Sequence, residues 1–329
     1  MKNISGMEHR WTFCGALSLV LICISVWPLP AVAQVAGQNA ICASLSSCSG
    51  TSISGSSAFI DAAPFFAIGD FCAVLHGILA ASTYPAAGTV IDARGLPAKG
   101  VNMTCGASPW AGITNPPPST ILLPAAVITI PSVWILPNGT QLIGENNRLP
   151  QGVNIGQPNA TTLLACTTSI CTSGNFSGTM VQFGDSHCPT AGCRGISVEG
   201  LALNGNGLTI NGITNANAQE RSYVDHVSLY QLLGVGLQIS AGADNSGPYS
   251  NITFDTGTFP PSFNSTACAS INGTNGTRGI HSLSCIGEST NGSVGVYLDS
   301  SNNSLDDIRI IGYDDGIRVG SQAAARMEM

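Results

Sequence analysis

The sequence predicts an all-β fold, a right-handed parallel β-helix (a solenoid) with a short N-terminal capping helix. Apolar strand starts recur at steps of 26, 25, 31 and 25 residues, and the aligned starts are Leu201, Val227, Ile252, Leu283 and Ile308. A second alternating strand recurs within these repeats, as GVGLQIS (234–240), SVGVYLD (293–299) and DGIRVGS (315–321). Helical patterns are nearly absent after residue 86. A period made of strands and turns is what coils stacked in parallel register require.

Residues 1–33 have the pattern of an export signal. Lys2 and Arg10 precede an apolar stretch, and small residues at 31–33 provide a cleavage site. This stretch is shorter than the roughly 20 residues that a membrane-spanning helix needs. We therefore expect a secreted protein, extracellular or periplasmic, with no membrane contact after cleavage.

Residues 34–67 are rich in Ser, Gly and Cys and predict a flexible lead-in. Residues 68–85 contain the predicted capping helix, with Asp70 as its N-cap. Its apolar side is formed by residues at helical spacing, namely Phe71, Val74, Leu75, Ile78 and Leu79. We expect this helix to cover the first coil, which would otherwise expose apolar surface and strand edges.

Residues 86–322 are assigned to the β-helix. Strand alternation predicts which side chains are inward: Val235, Leu237, Ile239, Val296, Leu298, Ile317 and Val319. The same alternation predicts outward positions for Gly236, Gln238, Tyr297 and Arg318. Residues 257–277 are predicted to be an insertion that lengthens one coil. The tail, 323–329, shows no C-terminal cap, so a truncated reading frame and an end open to a partner both remain.

Ten of the 12 cysteines follow the predicted signal, and an even number in a secreted chain predicts disulfides. Close spacing predicts three local pairs: Cys42–Cys48, Cys166–Cys171 and Cys188–Cys193. Four cysteines then remain for longer links: Cys72, Cys105, Cys268 and Cys285. No CxxC occurs and the histidines do not cluster, so no metal–thiolate site is predicted.

Charged residues make up only 9% of the chain, and the formal net charge is -7. Lys99 is the sole lysine after the signal, which argues against a nucleic-acid partner because phosphate binding needs clustered cations. A surface of Ser, Thr, Asn and Gly suits neutral or calcium-bridged sugars. It suits a plain extracellular scaffold equally well.

Three segments carry a resemblance to a known superfamily: GTVIDARGL (88–96), STILLP (119–124) and WILPNGTQLIGEN (134–146). They resemble the first coils of secreted bacterial members of the pectate-lyase-like (pectin lyase-like) right-handed β-helix superfamily. Those members commonly pair such a start with a capping helix. The resemblance covers residues 86–322 and implies a polysaccharide ligand, without matching a specific enzyme family.

The segment 223–226 (Tyr-Val-Asp-His) is similar to a motif of family-one pectate lyases. The resemblance implies that an arginine removes a proton beside a uronate carboxylate while calcium offsets its charge. Asp225 and His226 are therefore candidate catalytic residues. The alternative is that Asp225 is a turn residue in a stack of polar side chains that bond the turn backbone: Asp225, Ser250, His281 and Asp306.

The segment GYDDGIR (312–318) resembles the polygalacturonase group, in which adjacent aspartates act together and an arginine grips the uronate. Glycoside hydrolysis needs two carboxyl groups across the scissile bond. The candidate catalytic residues are Asp314, Asp315, Arg309 and Arg318. The alternative is an ordinary Asp-Gly turn after a strand.

Candidate substrate-binding residues lie near the predicted insertion and on the outward column. They are Arg278 and His281, close to Glu288, together with Tyr297 and Gln238. Loops carry binding residues more often than the scaffold does. A tolerated surface loop is the alternative.

We expect a secreted carbohydrate-active protein, a polysaccharide lyase or glycoside hydrolase that acts on an acidic polysaccharide such as pectin. A lyase would use Ca²⁺. The alternatives are a non-catalytic extracellular scaffold, an adhesion or glycan-binding protein, or a truncated inactive copy. Scarce Lys and Arg favour a non-catalytic role, since uronate recognition usually uses cationic side chains. The oligomeric state is not predicted.

Overall fold

The computed structural model describes residues 59–64, 69–81, 88–147, 160–171, 174–184, 187–189, 192–257, 267–287 and 292–321. Several predictions lie outside these residues: the export signal, the Cys42–Cys48 pair, Glu288 and the tail 323–329.

The described residues form one α-helix, α1 (Phe71–Leu79), and strands that we number in chain order. The strands are β1 (Phe59–Asp61), β2 (Thr89–Asp92), β3 (Ser119–Leu122), β4 (Val127–Ile130), β5 (Trp134–Leu136), β6 (Gln141–Ile143), β7 (Thr162–Ala165), β8 (Thr179–Phe183), β9 (Ser197–Leu208), β10 (Asn211–Asn215), β11 (Tyr223–Leu232), β12 (Val235–Ile239), β13 (Tyr249–Asp255), β14 (Ala267–Asn272), β15 (Ile280–Ile286), β16 (Val294–Asp299), β17 (Leu305–Ile311) and β18 (Asp315–Val319). A short 3₁₀ turn spans Pro97–Lys99.

Helix α1 begins where the sequence predicts it. The Asp70 side chain accepts a hydrogen bond of 2.8 Å from the backbone N–H of Ala73, which satisfies one of the free donors at the helix start. Its apolar side is buried and belongs to the same hydrophobic cluster as Ile91 of β2 and Ile121 of β3. No helix in the described part of the chain has the length and apolarity of a membrane span.

The strands form two sheets in which every pairing is parallel. The larger sheet has the order β1-β2-β3-β6-β9-β11-β13-β15-β17, with β7 also pairing β9 and β4 pairing β7. The second sheet has the order β5-β8-β10-β12-β14-β16-β18. From β8 to β18 the chain alternates between the two sheets, so each strand pairs with the strand two elements earlier. This all-β architecture is consistent with a parallel β-solenoid.

The repeat in the sequence corresponds to the strand register. Leu201, Val227, Ile252, Leu283 and Ile308 are direct partners in successive strands of the larger sheet. In the second sheet one column contains Gln238, Ser270, Tyr297 and Arg318. The predicted alignment is therefore confirmed, as is the placement of Tyr297 and Arg318 on the column of Gln238.

The core between the sheets pairs large side chains with small ones. A Cβ atom on Gly236 would lie 2.5 Å from the Phe254 ring, and one on Gly295 would lie 2.6 Å from Ile310. One coil replaces this packing with a disulfide between Cys268, in the glycine column, and Cys285, in the column of Phe254. The outward prediction for Gly236 is wrong, because its missing side chain makes room for Phe254. Val235 is only half-buried.

Two further predictions are corrected at the C-terminal coils. Ile317 and Val319 are 44% and 41% exposed, whereas their partners Val296 and Leu298 are 0% and 8% exposed. Within the described residues no strand pairs with the far side of β18, so these two side chains lack a covering coil.

The second correction concerns the predicted insertion, 257–277. This segment contains β14, which pairs in register with β12 and β16 and is therefore part of the sheet.

Four disulfides connect described residues, and all agree with the predicted grouping. Cys166–Cys171 and Cys188–Cys193 are the local pairs. Cys72–Cys105 and Cys268–Cys285 are the longer links. The predicted lead-in, 34–67, is not irregular throughout, because its residues Phe59–Asp61 form strand β1, which pairs with β2.

A buried hydrogen-bond network holds the start of β13. The fully buried Tyr249 hydroxyl lies 2.8 Å from Asn215 Nδ2, which donates to it, and 2.8 Å from Ser246 Oγ. Burial raises the pKa of Tyr249 to about 12. The neutral phenol is therefore the form that the fold stabilises.

We predict that Gly236→Ala lowers the free energy of unfolding by about 1–3 kcal/mol, because the added methyl group overlaps the Phe254 ring and the Cys268 carbonyl oxygen. Gly316→Ala is the matched control, since it lies in the same column with nothing within 4 Å of the new Cβ. Denaturant unfolding measures both variants. Equal stability of the two would contradict the proposed large-against-small packing.

We predict that the wild type loses stability as pH rises from about 10 to about 12, because the unfolded tyrosine ionises there while Tyr249 stays neutral in the fold. Below that range this contribution is fully present. Tyr249→Phe should remove this part of the pH dependence and cost about 1–3 kcal/mol at pH 7, since Asn215 and Ser246 each lose one hydrogen-bond partner. Stability curves recorded at several alkaline pH values test both parts.

Candidate functional site

Two neighbouring columns of the larger sheet form a surface that we call the polar face. The first column is in register across five strands and contains Glu199, Asp225, Ser250, His281 and Asp306. The residues that follow them are Gly200, His226, Asn251, Ser282 and Asp307, with φ values of 62°, 51°, 54°, 56° and 52°. Each strand therefore bends at a left-handed residue, a conformation that Gly, Asn, Asp and His tolerate best. The bend places two successive polar residues of each strand in this surface.

Asp225 is the most connected residue of the polar face. Its Oδ1 accepts hydrogen bonds from Asn251 Nδ2 at 2.8 Å and Ser250 Oγ at 3.0 Å, and its Oδ2 lies 2.8 Å from His226 Nδ1. Burial alone would raise the pKa of Asp225, but the hydrogen bonds from Asn251, His226 and Ser250 outweigh it and lower the pKa. A general acid needs the opposite shift.

The next coils continue this pattern with different partners. Ser282 Oγ donates to Asp307 Oδ2. His281 Nδ1 lies 3.6 Å from Asp306 Oδ2, and its Nε2 lies 3.0 Å from the Arg278 carbonyl oxygen. The predicted stacking of Asp225 with three polar residues is thus confirmed, although Asp225 itself bonds side chains of the neighbouring coil rather than turn backbone.

The sequence reasoning missed Glu199 at the other end of the column. Glu199 Oε1 accepts hydrogen bonds from the Tyr223 hydroxyl at 2.6 Å and Ser197 Oγ at 3.0 Å. Burial and the Glu199 carboxylate raise the pKa of Tyr223. The signal that could have found Glu199 is its position 26 residues before Asp225, one repeat earlier.

Three exposed arginines lie on the larger sheet or in the turns before its strands: Arg221, Arg278 and Arg309. None of their guanidinium groups has an ion pair or hydrogen bond with any described residue. Arg94 and Arg194 are engaged, with Asp92 at 2.7 Å and with Glu220 at 3.0 Å. The three free guanidinium groups are therefore available to an anion.

The predicted hydrolase residues do not form one site with the polar face. Asp314 and Asp315 lie in and beside β18 of the second sheet, whereas Arg309 lies in β17 of the larger sheet. Asp315 is held by Arg318 Nε at 2.7 Å, and Asp314 accepts from the Gly292 N–H at 2.9 Å. The contacts of both carboxylates are those of residues that fix local structure.

The other predicted binding residues also lie on the second sheet. Gln238 Oε1 accepts a hydrogen bond from Asn211 Nδ2 at 3.0 Å, and the Tyr297 hydroxyl donates to Asp299 at 3.3 Å. Arg278 and His281 belong to the larger sheet and its preceding turn. The four residues are thus divided between two surfaces.

Among described residues, the one grouping of three close Asp, Glu, His or Cys side chains is Asp70 with Cys72 and Cys105. Both sulfurs are in a disulfide and cannot act as thiolate ligands. None of these three residues belongs to the polar face.

Comparison of the chain with protein-family models, with curated proteins and with solved structures gives no match. The structure defines an all-β protein with long parallel sheets, cross-linked by disulfides, whose larger sheet carries a polar face and, on its strands or preceding turns, three arginines without a partner among the described residues.

We predict that Asp225→Ala lowers the free energy of unfolding at pH 7 by about 1 kcal/mol, after allowance for solvent screening, because three side chains lose their acceptor. The lowered pKa means that this contribution is present above pH 4 and is lost as pH falls through the folded-state pKa. The stability difference from wild type should therefore shrink as pH falls below the ordinary carboxyl pKa of 3.8.

His226→Ala is the control, because this exposed side chain makes one of the three contacts. Its effect should be smaller than that of Asp225→Ala. A difference for Asp225→Ala that persists unchanged at low pH would show that the carboxylate network does not stabilise the fold.

Proposed function

We propose that this protein is an extracellular right-handed parallel β-helix that binds an acidic polysaccharide along its larger sheet. The handedness follows the rule that crossovers between parallel strands are right-handed. Secretion is supported by the signal-like start of the chain and by the disulfides, which persist in oxidising compartments. The polysaccharide class is the one that the resemblance to the pectate-lyase-like superfamily implies.

The observation that carries the proposal is the pair of exposed, unpaired guanidinium groups of Arg278 and Arg309. A guanidinium offers two parallel N–H donors to a carboxylate, which a uronate unit supplies. No ion pair with a described residue has to be broken before such a contact forms. Arg309 lies in β17 and Arg278 in the turn before β15, and Arg221, before β11, is a third arginine without a partner among the described residues.

The column that contains Arg309 adds partners for sugar hydroxyl groups. Thr253 and Ser284 precede Arg309 in register, one per coil, and are half-buried, whereas Ser228 in the same column is buried. Successive strands lie about 4.8 Å apart, so these hydroxyls form a row along the sheet. A linear glycan that lies across the strands would meet one polar side chain per coil.

The carboxylates favour binding over catalysis. The pKa of Asp225 is lowered, and Asp315 forms an ion pair with Arg318. Asp314 accepts a hydrogen bond from the backbone N–H of Gly292. A glycosidase needs one protonated and one ionised carboxyl group facing the same bond. The lyase, hydrolase and scaffold alternatives are outcomes that the following experiment distinguishes.

We predict that the full chain binds polygalacturonate, and that Arg278→Gln with Arg309→Gln weakens binding about tenfold or more. Added salt should also weaken wild-type binding, because exposed charges are screened. Isothermal titration calorimetry measures the affinity. Arg94→Gln is the matched control, since it removes the same charge from a guanidinium that Asp92 already engages.

The same samples are assayed for ultraviolet absorbance and for reducing ends. New absorbance would show a lyase, and reducing ends without absorbance would show a hydrolase. A folded wild-type protein that neither binds nor changes polygalacturonate would leave the scaffold alternative. An equal loss in Arg94→Gln would contradict the assignment of the contact to Arg278 and Arg309.

A further inference from the structure

Arg221 and Arg278 lie in the turns that precede β11 and β15, at one edge of the larger sheet. Backbone hydrogen bonds join both turns to the turn before β13, which lies between them. The Gly247 N–H donates to the Ser222 carbonyl oxygen at 2.7 Å, and the Arg278 N–H donates to the Ser246 carbonyl oxygen at 2.7 Å. The two arginines therefore occupy the first and the third of three successive coils.

The middle coil places a glycine beside Arg278. Gly247 has a φ of 95°, and a Cβ atom built on it would lie 3.2 Å from the Tyr249 ring and 3.4 Å from Arg278 Cβ. The ring cannot move aside freely, because its buried hydroxyl is held by the network described above. A side chain at Gly247 would be strained, so the glycine keeps the space between the two arginines open.

The acidic side chains of these turns already have partners. Glu220 forms an ion pair with Arg194 at 3.0 Å. Asp244 accepts a hydrogen bond from the backbone N–H of Asn275 at 2.8 Å and another from its Nδ2 at 2.9 Å. The positive charges of Arg221 and Arg278 thus have no counter-charge among the described residues.

The spacing of the two arginines follows from the sheet. Neighbouring strands lie about 4.8 Å apart, so two coils separate the backbones of Arg221 and Arg278 by about 10 Å. Arg309 lies on a different line. Arg278 comes three residues before His281, and Arg309 comes three residues after Asp306, the register partner of His281. A rise of about 3.3 Å per residue makes this offset about 20 Å along the strands.

We propose that Arg221 and Arg278 bind two carboxylate groups of one uronate chain that runs across the coils along this edge. The inference rests on the proposed function, and it adds the direction of the chain and a new binding residue, Arg221. Each guanidinium offers two parallel N–H donors to a carboxylate. Once one carboxylate is bound, the other is held at high effective concentration near the second guanidinium. A chain that spans both arginines should therefore bind more tightly than separate uronate units.

The test uses the full chain and galacturonate oligomers of increasing length, beginning with the single sugar. The Nε–H resonances of the two arginines, assigned with Arg221→Gln and Arg278→Gln, are followed by NMR during each titration. Both resonances should shift with one common midpoint once the oligomer spans about 10 Å. The affinity should then exceed that for free galacturonate by about tenfold or more.

Arg221→Gln should remove this gain, so that a long oligomer binds about tenfold more weakly than it binds to wild type. Because the Arg221 side chain is exposed and has no partner among the described residues, the fold should be retained. Arg94→Gln is the matched control, since it removes the same charge from a guanidinium on the same sheet that Asp92 already engages.

Three results would overturn the inference and leave the proposed function standing. The first is a gain with oligomer length that Arg221→Gln leaves unchanged. The second is a pair of different midpoints for the two arginine resonances with a long oligomer. The third is an equal loss in Arg94→Gln. A folded wild-type protein that binds neither the oligomers nor polygalacturonate would instead contradict the proposed function itself.

Discussion

The structure depends on one constraint, which is that no coil can bury its apolar side chains alone. Parallel pairing places Leu201, Val227, Ile252 and Leu283 directly above one another, so each side chain is covered by the coils on both sides. Among the described residues β18 has no further coil on its far side, and there Ile317 is 44% exposed although its partner Val296 is fully buried. The stability of each coil is therefore supplied mainly by its neighbours.

The same register organises the polar residues. Because the repeat fixes which positions face outward, polar side chains accumulate in columns, and the left-handed bend after the first column adds a second polar residue per coil. Hydrogen bonds such as Ser250 to Asp225 then connect one coil to the next on the outside, as packing does on the inside. The columns of polar side chains and the apolar core both result from the same strand register.

This explains which features the sequence could predict. The repeat, the helix start at Asp70 and the stacking of Asp225 with His281 depend on local patterns or on a constant period, so they are visible in one dimension. The inward position of Gly236 depends on the Phe254 ring in the opposite sheet. The cleft between the loop 108–118 and the outward side of β5 depends on how that loop meets the strand. Contacts of this kind are set by three-dimensional packing and leave no periodic signal.

The carboxylates and the guanidinium groups of the larger sheet differ in how far they are engaged, and this difference limits what a ligand can contact. Asp225 is held by three hydrogen bonds, whereas Arg278 and Arg309 have no ion pair with a described residue. A ligand can therefore reach the cations without displacing a partner, but it can engage Asp225 only by breaking hydrogen bonds that connect neighbouring coils. This asymmetry favours an acidic ligand that leaves the carboxylate network intact.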